Sequence, residues 1–168
     1  MSDVFLLDAN VFIEANRVSY PLEIFPGFWD WLDQQNHAGV VKSVKPVYIE
    51  IAAGNDNLAE WVKERNTPEW FLSVEDHATQ QAFADVANWI MLQNQKYSQP
   101  AIDEFLGVAD PLLIAKAISL NASIVTLESN DHQNRRKVLI PVVCSNFGIK
   151  TLKTTDLLRH TGARFSLK

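Results

Sequence analysis

Val4-Phe5-Leu6-Leu7 is an unbroken apolar run closed by Asp8. A strand with one wet face alternates apolar and polar residues, whereas a strand apolar at every position must be covered on both sides. That is the condition of an inner strand in a parallel sheet with helices above and below. The rest of the chain supplies those helices. A short helix is predicted from Val11 through Ala15, and a second from about Gly27 to His37, ended by Gly39. Pro46 sits in the first turn of a helix carrying Tyr48 to Ala53 and stopping at Gly54, and Asp56 caps another from Leu58 to Arg65. Trp70 to Val74 reads as extended. Asp76 caps the longest helical pattern, in which Ala82, Phe83, Val86, Ala87, Ile90 and Met91 recur at helical spacing.

Ser98-Gln99-Pro100 reads as a loop before Phe105-Leu106. Asp110-Pro111 opens a helix through Leu120, Ser123 to Leu127 reads as a strand, and Ser129 to Arg136 as a surface loop. Pro141 interrupts the apolar run Val138 to Val143, so a short helix is expected after it. Lys150-Thr151-Leu152 then reads as a strand and Thr155 to His160 as a last helix. Alternating strands and helices predict an α/β chain with a parallel sheet covered on both sides. The 168 residues carry no repeat, low-complexity tract or linker, and residues 1–168 are assigned to a single domain. A chain of this size buries roughly 70% of the surface its unfolded form exposes, so it needs no disulfide or structural zinc to fold.

The lone cysteine, Cys144, excludes an intrachain disulfide, and Ser2-Asp3 after Met1 lacks the basic and apolar regions of a signal peptide, which together point to the cytoplasm. No apolar run approaches the roughly 20 residues that cross a bilayer. The formal net charge of −5 argues against a protein that grips nucleic acid by overall charge. Four acids holding two divalent ions would bring that charge to about −1, so a polyanionic substrate stays open.

Four acids are candidates for such a cluster. Asp8 and Asn10 lie two apart after the first strand, at the edge where ligands of open parallel sheets bind. The alternative is that either one caps the following helix. Glu50 lies between Ile49 and Ile51, and helical geometry puts Val47, Ala53 and Gly54 on its face. Its carboxylate is therefore expected on or beside an apolar stripe, which costs several kcal/mol unless it is paired or bound to a cation. The alternative is an edge glutamate that snorkels to water. Asp110 before Pro111 is equally suited to cap a helix. In Ile124 to Glu128, Thr126 and Glu128 alternate with Val125 and Leu127 and share one face at a second strand exit, with Asp131 as a rival or assistant to Glu128. Carboxylate and amide oxygens without a Cys/His cluster suit Mg²⁺ or Mn²⁺ rather than zinc.

LLDANVFIEA (Leu6 to Ala15), VYIEIAAG (Val47 to Gly54), ADPLLIAKA (Ala109 to Ala117) and IVTLE (Ile124 to Glu128) resemble, in that order, the motifs of PIN-domain nucleases, in particular the VapC-like toxins of toxin–antitoxin pairs. IPVVCSNFGIK (Ile140 to Lys150) further resembles a VapC-like subgroup. The resemblance implies a three-layer α/β/α sandwich with a central parallel sheet and an acidic pocket for one or two Mg²⁺ or Mn²⁺. It assigns Asp8, Glu50 and Asp110 as the principal acids, with Asn10 and Thr126 orienting ligands or water. Glu128 stands where the pattern more often has an aspartate. The implied activity is metal-dependent hydrolysis of RNA by a toxin restrained by a cognate antitoxin.

Arg17, Lys45, Lys116 and the run Arg135-Arg136-Lys137 are candidate phosphate contacts, with a solvated face as the alternative. His37, His77, His132 and His160 lack metal-ligand spacing, and Cys144 is expected to be packed. Trp29 and Trp31 point about 200° apart on one helix, so burying both requires cover on two sides, by the sheet and by a partner chain such as a second copy or the antitoxin. Two other functions compete. One is a phosphoryl-transfer domain with Asp8 as phospho-acceptor, which would want an acid rather than Asn10. The other is a non-catalytic RNA-binding or interaction module of the same fold, for which the atypical Glu128 speaks.

Overall fold

A computed structural model gives the fold and describes residues 3–167. Five strands, β1 Phe5–Leu7, β2 Val41–Val44, β3 Phe71–Leu72, β4 Ser123–Val125 and β5 Thr151–Leu152, form one sheet in the order β3-β2-β1-β4-β5. Every pairing is parallel. The flanking helices are α1 Ala9–Glu14, α2 Pro26–His37, α3 Lys45–Ala52, α4 Asn57–Lys63, α5 His77–Met91, α6 Gln99–Leu106, α7 Asp110–Leu120, α8 Ile140–Phe147 and α9 Thr154–His160. α1 runs on into a π-helical turn, Ala15–Ser19. The architecture is a three-layer α/β/α sandwich.

β1 is the central strand. Phe5 lies opposite both Val41 and Ser123, and Leu6 and Leu7 are fully buried, as an apolar run at every position requires. Around it the chain steps outward to β2 and β3 on one side and to β4 and β5 on the other. The order therefore reverses between β1 and β4. Parallel strands that diverge in this way open a crevice at their carboxyl ends.

Several local expectations change. β2 was not foreseen, because Lys42 and Ser43 break its apolar pattern. Both are satisfied without water: the Lys42 ammonium donates to the Glu69 carbonyl at 2.8 Å, and the buried Ser43 hydroxyl to the Leu7 carbonyl at 2.6 Å. Ser98-Gln99-Pro100 is not a loop but the cap and first residues of α6. The Ser98 hydroxyl accepts from the Ala101 N–H, and Pro100 lies in the first turn, where its missing N–H costs nothing. The short helix expected after Pro141 is α8, which begins one residue earlier, at Ile140, with Pro141 in its first turn. Asp56 and Asp76 cap α4 and α5 as expected.

The partner-chain argument from the tryptophans does not hold. Trp29 and Trp31 are both buried within one chain, at 2% and 8% exposure. Trp29 packs edge-on against Trp61 and donates its indole N–H to the Tyr20 carbonyl at 2.7 Å. Trp31 is covered by Phe165 of the chain's own carboxyl-terminal segment, which also packs on Phe28. Among the described residues, no helix is long and apolar enough to cross a membrane.

Candidate active site

Asp8 leaves β1 at the reversal point, and its N–H continues the ladder onto the Val125 carbonyl at 3.0 Å. It stands in the N-cap position of α1, yet its side chain makes no cap bond. The carboxylate instead accepts from the Thr126 hydroxyl at 3.0 Å. Thr126, equally buried, in turn accepts from the Glu128 N–H at 3.2 Å. One hydroxyl thus ties the exits of β1 and β4 together. Burial raises the Asp8 pKa to about 6; the Thr126 hydroxyl and the Ala9 N–H pull it down, while the charges of Glu128 and Glu50 push it up.

Asp110 lies in the first turn of α7, where Ala109 holds the cap position and no side chain caps the helix. The capping alternative therefore fails for Asp110, as it does for Asp8. Burial raises its pKa to about 7, with further upward pushes from Asp8, Glu128 and Glu50 and a downward pull from Lys137. One buried acid and one partly buried acid on different elements thus repel each other, and among the described residues no salt bridge neutralises either.

Glu128 is held differently. Its Oε2 accepts from the Ile140 N–H at 2.7 Å, at the start of α8, and its Oε1 lies 3.5 Å from the Lys137 ammonium. Lys153 fixes the backbone beneath it by donating to the Leu127 and Glu128 carbonyls at 2.7 and 2.6 Å. Glu50 is exposed, which corrects the expectation of an apolar setting. Val47 and Ile51 form the buried face of α3, while Ala53 and Gly54, its supposed apolar neighbours, are themselves exposed.

These side chains meet in a cleft of about 140 Å³ lined by Asn10, Glu50, Glu104, Asp110, Glu128 and Lys137, with Ala101, Phe105, Val108 and Val138 as its apolar part. Asp8 is not among its lining residues but is coupled to Asp110 through charge. Glu104, on α6, is an acid of the cleft beyond the four expected from the sequence. The signal was present in Ser98 as a cap followed by buried Ala101, Ile102 and Phe105 at helical spacing. Asp131 is exposed and accepts from the Gln133 N–H in its own loop, so it is not the fourth acid of the cleft.

Of the candidate cations, Lys137 enters the cleft, and Arg17 lines an adjoining groove that shares Asn10 and Glu128 with it. Lys116 is committed to Asp76 at 2.8 Å, and holds that carboxyl well below the usual range. Lys45 bonds Asn66 and lies over the Tyr48 ring. Arg135 and Arg136 are exposed in the loop after β4, as is His132. Cys144 is fully buried, and burial pushes its thiol up to about 12, so it is inert.

Among the described residues, no three His, Cys, Asp or Glu side chains converge into a ready-made metal cage. The donor chemistry nonetheless fits a hard cation: carboxylate and amide oxygens, among them the buried Asp8 and the partly buried Asp110, neither in a salt bridge among the described residues. A family model described as "Domain of unknown function (DUF4411)" matches residues 5–165, and the chain belongs to that family. A search of the curated proteins finds no match.

Proposed function

We propose that this member of the DUF4411 family is a divalent-metal-dependent endoribonuclease. The observation that carries the reading is the pair Asp8, buried, and Asp110, partly buried, carboxylates at the sheet's reversal point that cap no helix and, among the described residues, form no salt bridge. Structure alone gives no reason to keep two such charges, because burying them costs stability. The motifs of the sequence analysis that resemble PIN-domain nucleases support the same reading, and its narrower form is a cytoplasmic toxin restrained by an antitoxin.

Asp8 and Asp110 are the residues that would hold Mg²⁺ or Mn²⁺, with Glu50 and the Oε1 of Glu128 at the margin of the cleft. Such an ion, when bound, lowers the pKa of water and offsets charge on the phosphate. The chain's own groups do the rest. The Thr126 hydroxyl fixes the rotamer of Asp8 and, through the Glu128 N–H, the course of the β4 exit. Asn10 offers an uncharged amide at the mouth, able to donate to a phosphate oxygen or to orient a water. The acids keep negative charge in the cleft and act as scaffold, not as nucleophiles.

A second reading, a binding module that does not cleave, is favoured by Glu128, one of whose oxygens is already committed to α8. Incubating RNA with the purified protein separates the two. Cleavage is expected with Mn²⁺ or Mg²⁺ and none with EDTA, and Asp8→Asn and Asp110→Asn each lower it by roughly a hundredfold or more while the circular dichroism stays that of a folded chain. RNA left intact under every metal condition, or cleavage that survives both substitutions, overturns the proposal.

A further inference from the structure

Lys137 carries the single ammonium among the residues that line the acid cleft, against four carboxylates, Glu50, Glu104, Asp110 and Glu128. Its Nζ lies 3.5 Å from the Glu128 Oε1, and the Glu128 side chain is only 9% exposed. The other oxygen of Glu128 is taken by the Ile140 N–H, so Oε1 is the one still open to a cation. The backbone that presents Lys137 is anchored: Asn134 Oδ1 accepts from the N–H groups of Arg136 and Lys137, and Val138 next to it is buried. The side chain itself is half-exposed and flexible, able to enter or leave the cleft without moving that anchor.

We propose that Lys137 is a built-in counter-cation that competes with a divalent ion for the Glu128 end of the cleft. This rests on the metal-dependent reading above and deepens it. An ammonium beside Glu128 and Asp110 lowers the repulsion among the acids when no metal is bound, which stabilises the metal-free chain. The same charge opposes the entry of a second cation, because two positive charges share the small volume. Tethered to its loop, Lys137 sets the divalent concentration at which the cleft fills. Its charge, not its hydrogen-bonding shape, does this, so arginine replaces it and methionine of similar length does not.

Calorimetric titration of Mn²⁺ into wild type, Lys137→Met and Lys137→Arg, with melting curves in EDTA, tests it. Lys137→Met is expected to bind Mn²⁺ about two- to fivefold tighter, the scale of one partly exposed ion pair, and to melt lower than wild type in EDTA. Lys137→Arg should match wild type in both measurements. Lys137→Met binding Mn²⁺ equally or more weakly, while wild type binds it normally, overturns the counter-cation role and leaves the metal reading standing. A wild type that takes up no Mn²⁺ overturns both, and that control identifies the case.

Discussion

Asp8 carries its charge at 3% exposure, and Thr126 supplies the one side-chain hydrogen bond it has. A carboxyl that ionises at about 6 in the folded chain and at 3.8 when unfolded loses on the order of 3 kcal/mol of folding stability once it is ionised. Removing the charge should therefore help the metal-free protein. Asp8→Asn, which keeps an oxygen to accept from Thr126, is expected to melt several degrees above wild type in EDTA near pH 8, and to lose the stabilisation by Mn²⁺. A variant that melts lower would mean that the carboxylate has a native partner. The placement of Asp8, Asn10, Asp110, Thr126 and Glu128 at strand exits and helix starts was legible from the sequence, while the choice between a cap and a site residue was not. The environment of Glu50 was not. The face it shares on α3 is set by which side meets the sheet, and Ala53 and Gly54 are too small to reveal that.

Among the elements, α8 shows how one side chain serves two ends. Ile140 begins α8 without a cap from its own neighbourhood, and Glu128, from the exit of β4, supplies the acceptor. Glu128→Gln keeps an oxygen for that N–H whereas Glu128→Ala does not, and both remove the same charge from the cleft. Denaturant unfolding should place the glutamine variant above the alanine variant by about 1 kcal/mol, the worth of a helix cap. Equal stabilities would show that Glu128 is free of α8. The elements the sequence concealed share one cause. β2 hides behind Lys42 and Ser43, whose polar groups are paid by backbone carbonyls, and α6 hides behind a Ser-Gln-Pro signature common to loops and helix starts. The first ambiguity is resolved only by what packs on the segment, whereas the second yields to the helical spacing of Ala101, Ile102 and Phe105 after Ser98. The cost of missing α6 was Glu104.

For the whole molecule, the order β3-β2-β1-β4-β5 brings residues 8 and 126 side by side although most of the chain separates them. The class of fold followed from the run Val4 to Leu7, but the neighbour of β1 on each side did not, because strand order is a long-range property. The tryptophans show the same limit: their second cover is Phe165, at the far end of the sequence. The central claim is that this topology gathers carboxylates, in excess of the one ammonium among the cleft's lining residues, for a divalent cation, and its sign with pH is fixed. Asp8 and Asp110, raised to about 6 and 7, bind more protons folded than unfolded, so the stability these two contribute to the metal-free protein is full below about pH 4 and is lost as pH rises to 7. Asp76 is shifted the other way and has finished titrating below that window. Melting curves from about pH 5 to pH 8, with EDTA or millimolar Mn²⁺, therefore test it most directly. The melting temperature in EDTA should decline as pH rises, and the gain from Mn²⁺ should grow from little at pH 5 to several degrees at pH 8. A flat profile in EDTA, with no response to Mn²⁺ at pH 8, would contradict the claim.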